Sequence, residues 1–171
     1  MVSAVSNIKE DRERWAGDQF IAWYNQSRKT AFQYLRRGDD SPDLLYRDGS
    51  VTLGVEVTEA YYDAADRLFK NKTLRGCADA PRTWAAVEPD GALIVDIGAR
   101  AERKALHDLG SGCVLLINVD ATVTGATELD RLSNQVTLPE RHCFQAIYLG
   151  GFFGWSSDGP PGYRVWKLFE A

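Results

Sequence analysis

Residues Pro42 to Ala60, PDLLYRDGSVTLGVEVTEA, decide the fold. Leu44, Leu45 and Tyr46 form a short apolar run, Asp48-Gly49 is a tight-turn signal, and Val51 to Thr58 then alternates with the period of two of a strand. On that second strand Leu53, Val55 and Val57 point one way, and Thr52, Gly54, Glu56 and Thr58 the other. Closing the hairpin at its turn carries Asp43 towards the far end of the partner strand. Asp43 and Glu56 can therefore meet, although thirteen positions separate them along the chain. Two carboxylates that close repel each other unless a cation sits between them, and a hard divalent ion with oxygen ligands is the natural candidate.

Upstream, Ile8 to Gln26 reads as a helix, because Trp15, Ala16, Phe20, Trp23 and Tyr24 recur at spacings of three and four. Glu13 borders that stripe, and its plainer reading is a partly solvated helix charge. Thr30 to Arg36 alternates well enough for a first strand, with Phe32 and Tyr34 on one face, and a polar turn leads into Pro42. Three strands joined by short turns make a meander.

Downstream, Glu59 to Asn71 has mixed character, and Asn71 to Asp90 has no sustained period and contains Gly76, Pro81 and Pro89, so the connection is helical or irregular. Lys70, Lys72, Arg75 and Arg82, with Trp84 among them, are the candidate surface for phosphates and stacked bases; a solvated excursion is the bland alternative. Gly91 to Leu109 is a helix repeating Leu93, Ile97, Ala101, Ala105 and Leu109 every four residues, with Asp90 as its cap. Lys104 stands at the edge of that stripe, where it either reaches towards Glu56 or merely covers apolar surface. Cys113 to Val119, CVLLINV, has the continuous apolar character of a strand buried on both faces. A short helix between Asp120 and Pro139, a central strand over Cys143 to Phe153 and a closing edge strand over Tyr163 to Phe169 complete the chain. This order implies an α/β (α+β) fold: a mixed central sheet flanked by helices, ending in a C-terminal β-hairpin. At 171 residues it is expected to be a single domain, 1–171.

With 44% apolar and 26% charged residues the composition is that of an ordinary globular protein. No apolar run has the length of a membrane span and the N-terminus lacks the form of a signal peptide, so no membrane is expected and the cytoplasm is the expected location. Cys77, Cys113 and Cys143 are odd in number and in no metal-ligand spacing, which excludes a disulfide framework or zinc site and leaves buried thiols. Neither His107 nor His142 has triad or ligand spacing, and no glycine-rich phosphate loop occurs. The net charge of −4 weighs against nucleic-acid binding over the whole surface but leaves room for one basic groove. Phe152, Phe153, Trp155 and Trp166 offer either core packing or a homodimer face.

The pair Pro42-Asp43, the glycine turn, and Glu56-Val57-Thr58 on the next strand resemble the PD-(D/E)xK nuclease superfamily, the restriction-endonuclease-like phosphodiesterases. The lysine that the pattern carries two residues after the glutamate is Thr58 here. The resemblance implies a restriction-endonuclease-like core and a nuclease hydrolysing phosphodiester bonds in DNA or RNA. Its Mg²⁺ or Mn²⁺ would be held by Asp43, Glu56 and the Val57 carbonyl. It also implies a glutamate from the first helix, for which Glu13 is the candidate. Lys104 or Lys72 would stand in for the missing lysine, and Thr58 could only hydrogen-bond a phosphate or a water. Gly54 would admit a nucleic-acid backbone. The alternative is an inactive nuclease-fold binding or interaction module, of the kind that serves bacterial genome maintenance or defence.

Overall fold

The computed structural model describes residues 4–79, 89–107, 112–119, 125–154 and 161–171. Among them are helices α1 (Ala4–Arg28), α2 (Ala64–Leu74), α3 (Pro89–Ala105) and α4 (Ala126–Leu132), with a single 3-10 turn at Ser133–Gln135. The strands are β1 (Gln33–Arg37), β2 (Leu44–Asp48), β3 (Val51–Ala60), β4 (Cys113–Val119), β5 (Ala146–Phe153) and β6 (Gly162–Glu170). They form one mixed sheet in sequential order. β1, β2 and β3 make the antiparallel meander, β3, β4 and β5 run parallel, and β6 returns antiparallel beside β5. The chain is thus α+β and ends in a β-hairpin, as its element order implies.

Both faces of the sheet are covered. α1 lays Ala16, Phe20 and Ile21 over Leu44, Tyr46, Val55, Val57 and Tyr148. On the other face α3 and α4 bring Leu93, Ile97, Ala101 and Leu129 onto Leu115, Ile117, Ile147 and Leu149. Every residue of β4 is buried, which is why this strand reads as an unbroken apolar run. Gly17 lets α1 come down onto β2, since a Cβ there would stand 2.3 Å from Leu44 Cδ1 and 2.5 Å from the Tyr46 hydroxyl. Trp15, one residue from the buried Ala16, is 44% exposed and does not belong to the core stripe.

α1 closes where Lys29 takes a left-handed φ of 58°. Asn25 then clasps the chain ahead of β1: its amide donates to the Phe32 carbonyl at 2.9 Å and its oxygen accepts the Phe32 N–H at 2.9 Å. Backbone groups held this way are lost to the ladder, so β1 begins at Gln33 rather than Thr30. Between Tyr34 and Arg36 the register with β2 slips by one residue, a bulge at Leu35. A one-residue shift exchanges the faces of a strand, so Arg37 lies beside Leu44 on the α1 face instead of pointing away from it.

Of the helical and irregular alternatives for this connection, Ala64–Leu74 takes the helical one as α2. Among its described side chains the buried ones are Asp66 and Lys70, so no apolar period marks its buried face. Its termini are nevertheless conventional. Asp63 accepts the Asp66 N–H at 2.6 Å, and Gly76 follows the last turn at φ 63°. α3 starts at Pro89, a favoured first helical residue, which puts Asp90 inside the first turn rather than at the cap. Arg82, Trp84, Leu109 and Trp155 lie outside the described residues. All three cysteines are free; Cys113 is buried, while Cys77 and Cys143 are only partly so. None of the described helices is long and apolar enough to cross a membrane.

Candidate functional site

The β2–β3 ladder ends at Leu44 opposite Val55. One step further, Asp43 would face Glu56 on the side of the sheet that α3 covers, and two steps further Val57 would face Pro42, which has no N–H to give. Side chains replace the missing ladder bonds. The Val57 N–H donates to Asp43 Oδ2 at 2.9 Å, and the Asp43 N–H donates to Glu56 Oε2 at 3.1 Å. The Ser41 hydroxyl donates to the same Glu56 oxygen at 3.0 Å. Asp43 and Glu56 therefore converge, as the hairpin reading requires. In an extended strand a residue's N–H and C=O leave on the same edge, so the Val57 carbonyl is directed to the side on which Asp43 lies.

The turn that delivers Asp43 is pinned at both ends. Gly38 donates its N–H to the Asp43 carbonyl at 3.0 Å. The Pro42 ring lies on Gly54, where an added Cβ would come within 2.5 Å of Pro42 Cγ. Gly54 therefore receives the proline, and the space expected there for a nucleic-acid backbone is filled.

Lys104, in the last turn of α3, hydrogen-bonds and ion-pairs with Glu56 Oε1. Of the two lysines weighed for that position it is the one present; Lys72 pairs with Asp79 instead. Glu13 is 6% exposed, so it is a buried charge rather than a partly solvated one. Its carboxylate takes a hydrogen bond from Arg37 at 2.7 Å and an ion pair from Lys9 at 3.1 Å. Arg37 also stands 3.7 Å from Asp43 Oδ1 and so links Glu13 to the acid pair. Burial pushes the Asp43 carboxyl from its ordinary 3.8 up to about 6; the Glu56 and Glu13 carboxylates add to the rise, and the Val57 N–H and Lys104 oppose it. Burial, with smaller contributions from Cys143 and Glu56, also raises the Cys113 thiol, to about 11, so it is protonated at neutral pH.

Beside this cluster opens a cleft of about 430 Å³ whose wall includes Glu13, Val57 and Thr58. Asp43 and Glu56 are thus one residue removed from open space. Six cations share the wall: Lys9, Arg12, Arg67, Arg75, Arg100 and Lys104. Arg12 pairs with Glu59 at 2.5 Å and Arg100 with Asp96 at 3.1 Å. Arg67 and Arg75 meet no carboxylate at ion-pair distance among the described residues. Of the described residues in the basic surface expected from sequence, Arg75 alone lines this cleft. Lys70 is 7% exposed and donates to the buried Asp66 at 3.0 Å, so it is not a surface cation. Arg37, Arg67 and Arg100 escaped the sequence reading: Arg37 depends on a bulge that no residue pattern announces, and Arg67 on a helix that was not visible.

As a donor set, two carboxylates and a strand carbonyl match what Mg²⁺ or Mn²⁺ takes from a protein, since such ions keep several waters. The observation in favour is that the two carboxylates converge in a buried place, where burial first and the Glu56 and Glu13 carboxylates second raise the Asp43 carboxyl. Among the described residues no three Asp, Glu, His or Cys side chains group closely enough to hold a metal by themselves. Compared with models of known protein families, with curated proteins and with solved structures, the chain matches none.

Proposed function

We propose that the protein is a metal-dependent nuclease of the PD-(D/E)xK type with a restriction-endonuclease-like core, in which the lysine of the motif is supplied by α3. The observation that carries this reading is the convergence of Asp43, Glu56 and Lys104 where the β2–β3 ladder breaks. Asp43, Glu56 and the Val57 carbonyl would hold Mg²⁺ or Mn²⁺, which when bound supplies Lewis-acid stabilisation of phosphoryl charge and acidifies water. Lys104 keeps a charged donor beside Glu56, on the side where Thr58 has only a hydroxyl to offer, and can orient water or neutralise a phosphate oxygen. Arg67 and Arg75, which meet no carboxylate among the described residues, bring positive charge to the neighbouring cleft, suited to holding flanking phosphates. Glu13 acts through Arg37, which holds it near Asp43.

A second reading, a binding module without catalysis, is favoured by the ion pairs themselves. Lys104 already neutralises Glu56, and Arg37 already serves Glu13, with no metal required. Purified protein incubated with single- and double-stranded DNA and RNA in Mg²⁺ or Mn²⁺ separates the two. Cutting that disappears in Asp43→Ala, Glu56→Ala and Lys104→Ala establishes the nuclease. Cutting that survives all three belongs to a contaminant, and none by the wild type on any substrate leaves the binding module.

A further inference from the structure

Trp15 and Phe152 are 44% and 46% exposed, an unusual position for two large rings in contact, since burying either would gain apolar stabilisation. They are not loose. Their centroids are 6.2 Å apart at 61°, and Trp15 is braced from another side by Tyr163 at 5.8 Å and 85°. Tyr163 is itself fixed, its hydroxyl donating to Asn118 Oδ1 at 2.9 Å. Both rings border a hollow of about 470 Å³ at the ends of β4 and β5. This hollow shares Arg12 and Glu59 with the basic cleft, so the two adjoin across that ion pair. Along the surface, the guanidinium groups of Arg75 and Arg67, which meet no carboxylate among the described residues, are followed by Arg12 and then by a fixed aromatic ledge.

We propose that this ledge is a stacking platform for unpaired bases, and that the protein accordingly binds single-stranded nucleic acid, with the phosphates on Arg67 and Arg75 and a base on Trp15 and Phe152. The proposal rests on the nuclease reading for the site that the strand would feed. Charge and shape choose the occupant. An apolar protein segment would use the rings but leave the adjoining guanidiniums unanswered. A duplex would answer the guanidiniums, but its base faces are closed inside the stack. A single strand satisfies both, because every base has a π-face and stacking on an aromatic ring tolerates any sequence. Rings already held in place need little further ordering when a base arrives.

The test is fluorescence anisotropy of the full chain in EDTA with labelled oligothymidylate, oligouridylate and a blunt DNA duplex of equal length, with cutting in Mn²⁺ assayed separately. The expected result is single-strand binding at least ten-fold tighter than duplex binding. Trp15→Ala and Phe152→Ala should each weaken single-strand binding by roughly five-fold to a hundred-fold, the span measured for base stacking on aromatic residues, and leave duplex binding unchanged. Trp15→Phe, which keeps a ring, should retain most of the affinity. Arg67→Ala and Arg75→Ala should weaken both and each flatten the salt dependence by about 0.7 in slope for the single strand. Equal affinity for single strand and duplex, wild-type affinity in both aromatic variants, or no binding by the wild type overturns the proposal. Loss of cutting with ledge-dependent binding retained would overturn the nuclease reading alone, and cutting indifferent to Trp15 and Phe152 would overturn the platform alone.

Discussion

Replacing Asp43 by Asn should make the metal-free protein more stable while abolishing its response to divalent ions. Asparagine keeps an oxygen for the Val57 N–H, so the turn is preserved and only the charge is removed. Since the Asp43 carboxyl lies at about 6 in the folded chain against an ordinary 3.8, the folded protein binds more protons than the unfolded chain between those values. Stability therefore falls as pH rises through that window and stays reduced above it. Two pH units correspond to about 3 kcal/mol as a ceiling; Arg37 and the solvent that still reaches the carboxylate bring the expected penalty to about 1–2 kcal/mol. At neutral pH in EDTA, Asp43→Asn should then melt about 2–8 °C above the wild type, with the difference vanishing near pH 4.

Adding Mn²⁺ should reverse the order. A ligand that binds only the folded state stabilises it by about 2.7 kcal/mol at a hundred-fold excess over its Kd, and the wild type alone retains both carboxylates to hold one. Thermal melts of both proteins from pH 4 to pH 8, with and without Mn²⁺, read all of this. If Asp43→Asn is no more stable than the wild type in EDTA at pH 7, the account of Asp43 as a buried, raised carboxylate is wrong. If both proteins gain equally from Mn²⁺, the ion binds elsewhere.

Lys104→Met should destabilise the fold by about 1–3 kcal/mol, because it leaves the buried Glu56 with only neutral donors, and adding Glu56→Gln should recover most of that loss in a denaturant titration without restoring any cutting. Gly54→Ala, which touches neither acid, should cost about 1–3 kcal/mol and abolish cutting, since its Cβ displaces the Pro42 ring that sets Asp43; full activity would show that the turn does not position the site. Arg37→Ala should lower stability by about 1–3 kcal/mol in the same titration, because it strips the buried Glu13 of its closest partner. In a Lys104→Ala background, Thr58→Lys should restore part of any cutting activity if what the site needs is a cation on the Glu56 face, and restore none if the ammonium must arrive from α3.

The parts of this fold legible in the sequence are those where one face is apolar and the other is not. β3 alternates because α1 covers Leu53, Val55 and Val57, and β4 does not alternate because it is covered twice. α3 shows its stripe for the same reason. The hairpin register follows from the turn at Gly49, and with it the meeting of Asp43 and Glu56. What stayed hidden has a common cause, which is polar groups doing what apolar ones usually do. α2 buries the pair Asp66 and Lys70, so hydropathy gave no period and Lys70 looked like a surface cation. Trp15 looked like core and is exposed. The bulge at Leu35 changes the face on which Arg37 lies, and nothing local to those residues marks it.

The site owes its geometry to an interruption. In an unbroken hairpin Asp43 and Glu56 would be a cross-strand like-charge pair, which is destabilising, and the edge of Val57 would be consumed by the ladder. Pro42 withholds its N–H and the chain turns away, so an Asp43 oxygen takes the Val57 N–H that backbone would have taken, and a Glu56 oxygen takes the Asp43 N–H. That substitution holds one oxygen of each carboxylate with neutral N–H and O–H donors and leaves the other oxygen to a cation. The cations then arrive from different elements, Arg37 from the bulged edge strand and Lys104 from the last turn of α3, where the negative end of the helix dipole favours an ammonium. Neither depends on the other's element for its place, so the acids are held by two separately anchored charges. Glu56 is kept by Lys104 at one oxygen and by the neutral Ser41 and Asp43 donors at the other, so replacing the lysine by another cation would leave the turn's own bonds in place. A purely structural ion pair gains nothing from being built around a broken ladder, and this asymmetry is the physical argument for reading the cluster as a site.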